Sequence, residues 1–199
     1  MALRHSYTFI APFYDGLIAR ASARAREQSV AMLRARPPSN ILVNGVGTGL
    51  DLPHLPGQHR YVGLDMTPAM LRRCFARAQV LDFCAVQGDA QRLPFADDSF
   101  DVVILHLILA VVPNPQQCLQ EAARVLRPAG TILLFDKFLR PGESAIWKRA
   151  LNAVTRHIAT RLDVVFEQVL ETVPELECMH DEPVLARGWF RLIRLQKRS

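Results

Sequence analysis

Gly45-Val46-Gly47-Thr48-Gly49 follows an apolar run, Ile41 to Val43, and Asp65 closes a second such run sixteen residues after Gly49. This reads as a strand, a glycine turn, a helix and a second strand ending in one carboxylate. Glycine has no Cβ, so a nucleoside-bearing molecule can lie against the backbone where strand passes into helix. An acid at the tip of the next strand can accept hydrogen bonds from both ribose hydroxyls, as in dinucleotide sites. An adenosine-containing cofactor is the first chemistry these residues point to. The phosphate-cradling P-loop needs Gly-x-x-x-x-Gly-Lys-Ser/Thr, and the chain has no such string. The NAD fingerprint needs a third glycine where Leu50 stands, and no Lys or Arg lies between Gly45 and Asp51 to meet a pyrophosphate.

The elements that must position these residues are legible along the chain. Strands are expected near 41–45, 60–65, 82–87, 102–107 and 131–136, with helices near 50–53 (short or irregular), 68–79 and 115–126. Thr67 is placed to cap the second of these helices, with Pro68 in its first turn, and Asn114-Pro115 repeats the signal. Residues 12–35 read as a helix with Phe13, Leu17, Ala21 and Ala25 along one side, stopped by Arg36-Pro37-Pro38. Beyond Pro141-Gly142 comes a helical stretch, Glu143 to Ala159, and then Glu175–Pro183 and Trp189–Lys197 as an antiparallel strand pair. Strands alternating with helices argue for a parallel, doubly wound sheet with right-handed crossovers. Ligands in such sheets sit at the carboxyl ends of strands, which puts Gly45–Gly49, Asp65, Asp89 and His106 on one rim.

Composition narrows the class. At 199 residues, half of them apolar, the chain has the length of one domain and enough mass for a sizeable core. The longest apolar run, Val102 to Val112, is too short to span a membrane and is broken by His106. No signal-peptide pattern opens the chain, so a cytoplasmic location is expected. Cys74, Cys84, Cys118 and Cys178 form no C-x-x-C pair and fit reduced, mostly buried thiols; the six histidines lack ligand spacing, so no metal is implied. Residues 1–40 carry six arginines against Asp15 and Glu27, whereas residues 41–140 balance nine basic against nine acidic groups. A basic, apolar N-terminal segment could meet an anionic membrane surface, or could simply be a solvated helix face. Nucleic acid is not expected, because no aromatic-interleaved basic patch appears.

The order of motifs carries a family resemblance. After the glycine turn and Gly63-Leu64-Asp65 come Gly88-Asp89-Ala90 and Leu93-Pro94-Phe95-Ala96-Asp97-Asp98-Ser99-Phe100-Asp101. Leu126-Arg127-Pro128-Ala129-Gly130 then ends a helix-like segment before the fifth strand. Over residues 38–140 this succession resembles the class I S-adenosylmethionine-dependent methyltransferases of the type 11 group. Three strings resemble bacterial phosphatidylethanolamine N-methyltransferases in particular: Ala11-Pro12-Phe13-Tyr14-Asp15, the glycine turn, and Val111-Val112-Pro113-Asn114-Pro115. The terminal Phe190-Arg191-Leu192-Ile193-Arg194 is similar to that group as well.

The resemblance implies a Rossmann-like α/β fold: a doubly wound, seven-stranded, mainly parallel sheet with an antiparallel C-terminal strand pair. It implies one methyltransferase domain over 1–199, with a helical lid (1–37), a core that binds S-adenosyl-L-methionine (38–140), and a substrate-side helix with closing strands (141–199). Asn44, Gly45, Val46, Gly47 and Gly49 would line the amino-acid and ribose part of the cofactor. Asp65 would hold the ribose hydroxyls, Met66 would lie on the adenine face, and Asp89 and Ala90 would meet adenine. His106 would stand close to the transferring methyl, where it could orient or deprotonate a substrate or be a hydrogen-bonded structural histidine. His5, Tyr7 and Tyr14 belong to the closing segment, with Tyr14 beside the chemistry and Tyr7 toward the substrate. Lys137, Arg140, Trp147 and Lys148, with Arg149, would face the acceptor, the cations being suited to a phosphate.

The chain departs from the family at Val43, where most members carry an acid that helps organise the cofactor's ammonium end. That end is left to backbone carbonyls, water or Asn44. A sulfonium is already a strong methyl donor, so catalysis consists mainly of placing a nucleophile in line, which is worth about 7–11 kcal/mol in favourable cases. The expected acceptor is a phospholipid headgroup such as phosphatidylethanolamine, met on the inner membrane face, or else a quinone-like or soluble small molecule. A non-catalytic S-adenosylmethionine-binding regulator is the alternative of another class, for which Val43 speaks.

Overall fold

Seven strands build the sheet: β1 (Asn40–Asn44), β2 (Arg60–Asp65), β3 (Asp82–Gln87), β4 (Phe100–His106), β5 (Leu126–Lys137), β6 (Leu176–Leu185) and β7 (Phe190–Lys197). The computed structural model describes residues 22–139 and 163–199. Strand order is β3-β2-β1-β4-β5-β7-β6, with β1 to β5 mutually parallel and β7 antiparallel to both β5 and β6. This is the Rossmann-like sheet expected from sequence, closing pair included.

Central strands of a parallel sheet are covered on both faces, which is why they read as continuous apolar runs rather than alternating ones. Leu42, Leu64, Val103, Leu105 and Leu134 pack on one face against Cys118, Leu119 and Ala122 of α3 (Pro115–Val125) and Phe166 and Val169 of α4 (Phe166–Leu170). Ile41, Val43, Ile104 and Leu133 pack on the other, against Leu71 and Cys74 of α2 (Pro68–Arg77) and against Val30 and Leu33. Val30 ends α1 (residues 22–30), and Leu33 lies in the 3-10 turn Ala31–Ala35 that follows.

Several local expectations change. The short or irregular helix expected near 50–53 is one 3-10 turn, Leu52–His54. Leu126-Arg127-Pro128-Ala129-Gly130 is extended rather than the end of a helix, because Leu126 already pairs with Phe100. The ladder then skips to Val102–Thr131, and Ala129 takes φ 59° in the loop-out. Asn114 caps α3 as expected, accepting from the Gln117 N–H at 3.1 Å. Thr67 occupies the cap position of α2 but gives no capping bond; its backbone and side chain both turn to Asp65. Cys74 and Cys118 are buried, whereas Cys84 and Cys178 are exposed. The helical stretch expected over Glu143 to Ala159 lies outside the described residues. Among the described residues, no helix is long and apolar enough to cross a membrane.

Candidate active site

Strand order reverses between β1 and β4, so the loops leaving their carboxyl ends diverge and open a crevice. The glycine turn fills one side of it. Gly45 and Val46 donate their N–H groups to the Leu64 carbonyl at 2.8 and 2.9 Å, locking the turn to β2. Gly45 sits at φ 77°, and a Cβ there would meet Ile108 Cδ1 at 2.6 Å. Gly47, at φ 55°, is different: a Cβ would find only the Gly45 carbonyl, at 3.9 Å, so this face is open to a ligand.

Asp65 faces the same opening. Its carboxylate accepts from Gly47 N–H at 3.0 Å and Thr67 N–H at 2.8 Å. Burial pushes this carboxyl up from its ordinary value, and the two N–H groups oppose that. Met66 follows on the rim, about half exposed. Asp89 accepts from the Gln91 backbone and side chain, at 2.8 and 3.2 Å, which fixes the 89–92 turn. Ala90 is buried, and its carbonyl accepts from Asn44 Nδ2 at 3.4 Å. Asn44 is fully buried, with Oδ1 lacking a partner. Val43 points to the opposite face, among Val46, Leu52 and Cys74, so Asn44 does not occupy the place of the missing acid.

His106 ends β4 with its side chain buried and both ring nitrogens engaged. Nδ1 lies 2.6 Å from Asp51 Oδ1, and Nε2 lies 2.9 Å from Ser29 Oγ. Asp51 also accepts from Arg26 Nη1 at 2.7 Å, and Arg26 Nε donates to Ser22 at 3.1 Å. Burial would raise the Asp51 carboxyl, but the neighbouring His106 and Arg26 outweigh it and hold the group well below the usual carboxylate range. An ionised Asp51 can only accept, so Nδ1 carries a proton. At the end of β5, Asp136 accepts from the N–H groups of Ala110 (3.0 Å) and Lys137 (2.8 Å). Its carboxyl is pushed up to about 6 by burial, which those bonds and the Lys137 charge only partly offset. The Lys137 ammonium is lowered by burial against the pull of Asp136.

The rim therefore brings together Gly45, Val46, Gly47, Gly49, Asp65, Met66, Asp89 and Ala90, with Asn44 beneath Ala90. Tyr7, Tyr14, Arg140, Trp147 and Lys148 lie outside the described residues, as do His5 and Arg149. Sequence reasoning missed Asp51, Arg26, Ser29 and Asp136. One signal was available: Ser22, Arg26, Ser29, Val30 and Leu33 recur at helical spacing, so a charged residue lies within the face that α1 buries.

A family model described as a methyltransferase domain matches residues 42–134. The chain belongs to the S-adenosylmethionine-dependent methyltransferases, and S-adenosylmethionine is its cofactor. It is 31% identical over 190 residues to the phosphatidylethanolamine N-methyltransferase of Cereibacter sphaeroides, covering 93% of each chain. It is 29% identical over 162 residues to the demethylmenaquinone methyltransferase of Listeria monocytogenes, covering 75% of this chain and 67% of that one. A structure from Thermotoga maritima, described as a possible histamine N-methyltransferase, superposes with a TM-score of 0.70 at 19% identity. That match covers 98% of this chain and 99% of that one.

The residues present fit this cofactor. The open face of Gly47 admits a nucleoside against the backbone, and Asp65 stands at the strand tip with a carboxylate for ribose hydroxyls. When bound, the cofactor's sulfonium supplies an electrophilic methyl group. The chain's own task is then placement of that group against an acceptor.

Proposed function

We propose that the acceptor is the primary amine of a phosphatidylethanolamine headgroup. The observation that carries this reading is the similarity to the Cereibacter sphaeroides enzyme over 93% of both chains. The similarity to the demethylmenaquinone enzyme covers less of each and supports a quinone acceptor as the second reading. In the N-methylation, the headgroup ammonium loses a proton to water, its nitrogen lone pair forms the new N–CH3 bond, and the S–CH3 bonding pair returns to sulfur. On this reading Gly45 to Gly49, Asp65, Met66, Asp89 and Ala90 hold the cofactor. Lys137, with Arg140 and Lys148, meets the lipid phosphate, and Tyr7, Tyr14 and Trp147 complete the acceptor side. The arginine surplus of residues 1–40, the buried Arg26 set aside, supports peripheral docking on the cytoplasmic face of an anionic membrane.

Methyl-labelled S-adenosylmethionine and vesicles containing phosphatidylethanolamine test this directly. The expected product is labelled N-methylated lipid, with vesicle flotation that weakens as salt rises. Label entering a demethylated quinone or a soluble amine, with none in the lipid, would contradict it.

A further inference from the structure

In an ordinary strand–turn–helix unit, the turn is held by the helix it opens. Here a three-residue 3-10 turn follows Gly49, too short to anchor anything. Besides the bonds of the turn to Leu64 and Asp65, two further side chains hold the segment. Arg77 of α2 donates to the Thr48 carbonyl from outside. From inside, Asp51 turns its carboxylate away from its own 3-10 turn, which it does not cap, and toward His106 and Arg26. Arg26 belongs to α1, so the buried carboxylate joins three separate parts of the fold: the cofactor turn, the end of β4 and the N-terminal helix. All three side chains are more than nine-tenths buried, which makes the pairing hard to break piecemeal, because a lone charge left inside is costly.

We propose that Asp51 is a positioning residue for the cofactor: acting through Arg26 and His106, it sets the glycine turn in its binding geometry and couples that geometry to the docking of α1. His106 is then part of this positioning cluster rather than a base in contact with substrate. Its Nδ1 proton is committed to Asp51, and its Nε2 is engaged by Ser29. Because coupling between two events is reciprocal, cofactor binding must tighten α1, and α1 must tighten cofactor binding.

The inference rests on the cofactor placement proposed above, and the experiment separates the two. S-adenosylhomocysteine, the demethylated product, is titrated calorimetrically into wild type, Asp51→Asn, Arg26→Lys, Arg26→Gln and Asp65→Ala. Amide exchange over residues 22–30 is followed with and without the ligand. Asp51→Asn and Arg26→Gln should each weaken binding about tenfold, roughly 1.4 kcal/mol, and Arg26→Lys should restore most of it. The KM for cofactor should rise in the first two variants while kcat at saturating cofactor stays within about twofold. The ligand should slow exchange in α1 of wild type but not of Asp51→Asn. Should Asp51→Asn not fold, Arg26→Gln carries the same test from the other partner. A lowered melting temperature with unchanged affinity and unchanged α1 protection would make the cluster purely structural and overturn the proposal. Full binding by Asp65→Ala would instead overturn the cofactor placement itself.

Discussion

Asp136 shows what one buried carboxyl contributes. Its folded pKa of about 6 lies above the ordinary carboxylate value, so between roughly pH 4 and 6 the folded state binds more protons than the unfolded chain. Stability from this group is therefore full below its unfolded pKa and is lost as pH rises through 6. The difference between the folded and unfolded values corresponds to a loss on the order of 3 kcal/mol. Denaturant midpoints measured at pH 4, 5 and 6.5 should fall with rising pH, and Asp136→Asn should flatten that slope. Asp51 behaves oppositely: its carboxyl is held far below the usual range, so its ion pairs persist through ordinary acidic pH. Neither group could be recognised from sequence. Burial decides their roles together with partners brought in from afar, Arg26 standing 25 residues from Asp51 and Ala110 26 residues from Asp136.

At the level of elements, the glycine turn is held as much by shape as by hydrogen bonding. Gly45 combines a left-handed φ with Ile108 packed where a Cβ would go, so Gly45→Ala meets both backbone strain and a steric clash. A loss of about 2–3 kcal/mol in urea unfolding is expected. In an Ile108→Ala background the clash is gone, so there Gly45→Ala should add only the backbone cost of about 1–2 kcal/mol. Strands were the most legible elements, because a parallel sheet covered on both faces writes each strand as an apolar run. The helix starts at Pro68 and Pro115 were equally legible from their proline signals. What sequence could not show is where side chains turn once packed. Thr67 serves Asp65 instead of capping its helix, and Leu126 pairs with Phe100 instead of ending one. The α4 turn, Phe166–Leu170, was not foreseen, being too short for periodicity to reveal.

For the molecule as a whole, the order of motifs along the chain was enough to give the sheet and the cofactor. Topology, not local propensity, brings Gly47 and Asp65 within hydrogen-bonding distance, and two apolar runs joined through a glycine turn announce that topology in one dimension. The acceptor is less legible, because a methyltransferase asks few specific side chains of its substrate side. The central claim is that the crevice between β1 and β4 binds an S-adenosyl ligand through the glycine turn and Asp65. Isothermal titration of S-adenosylhomocysteine into wild type and Asp65→Ala, both confirmed folded by circular dichroism, tests it most directly. Micromolar binding by wild type and a loss of at least about tenfold in Asp65→Ala is the predicted result. Equal affinity in the two proteins would contradict the account.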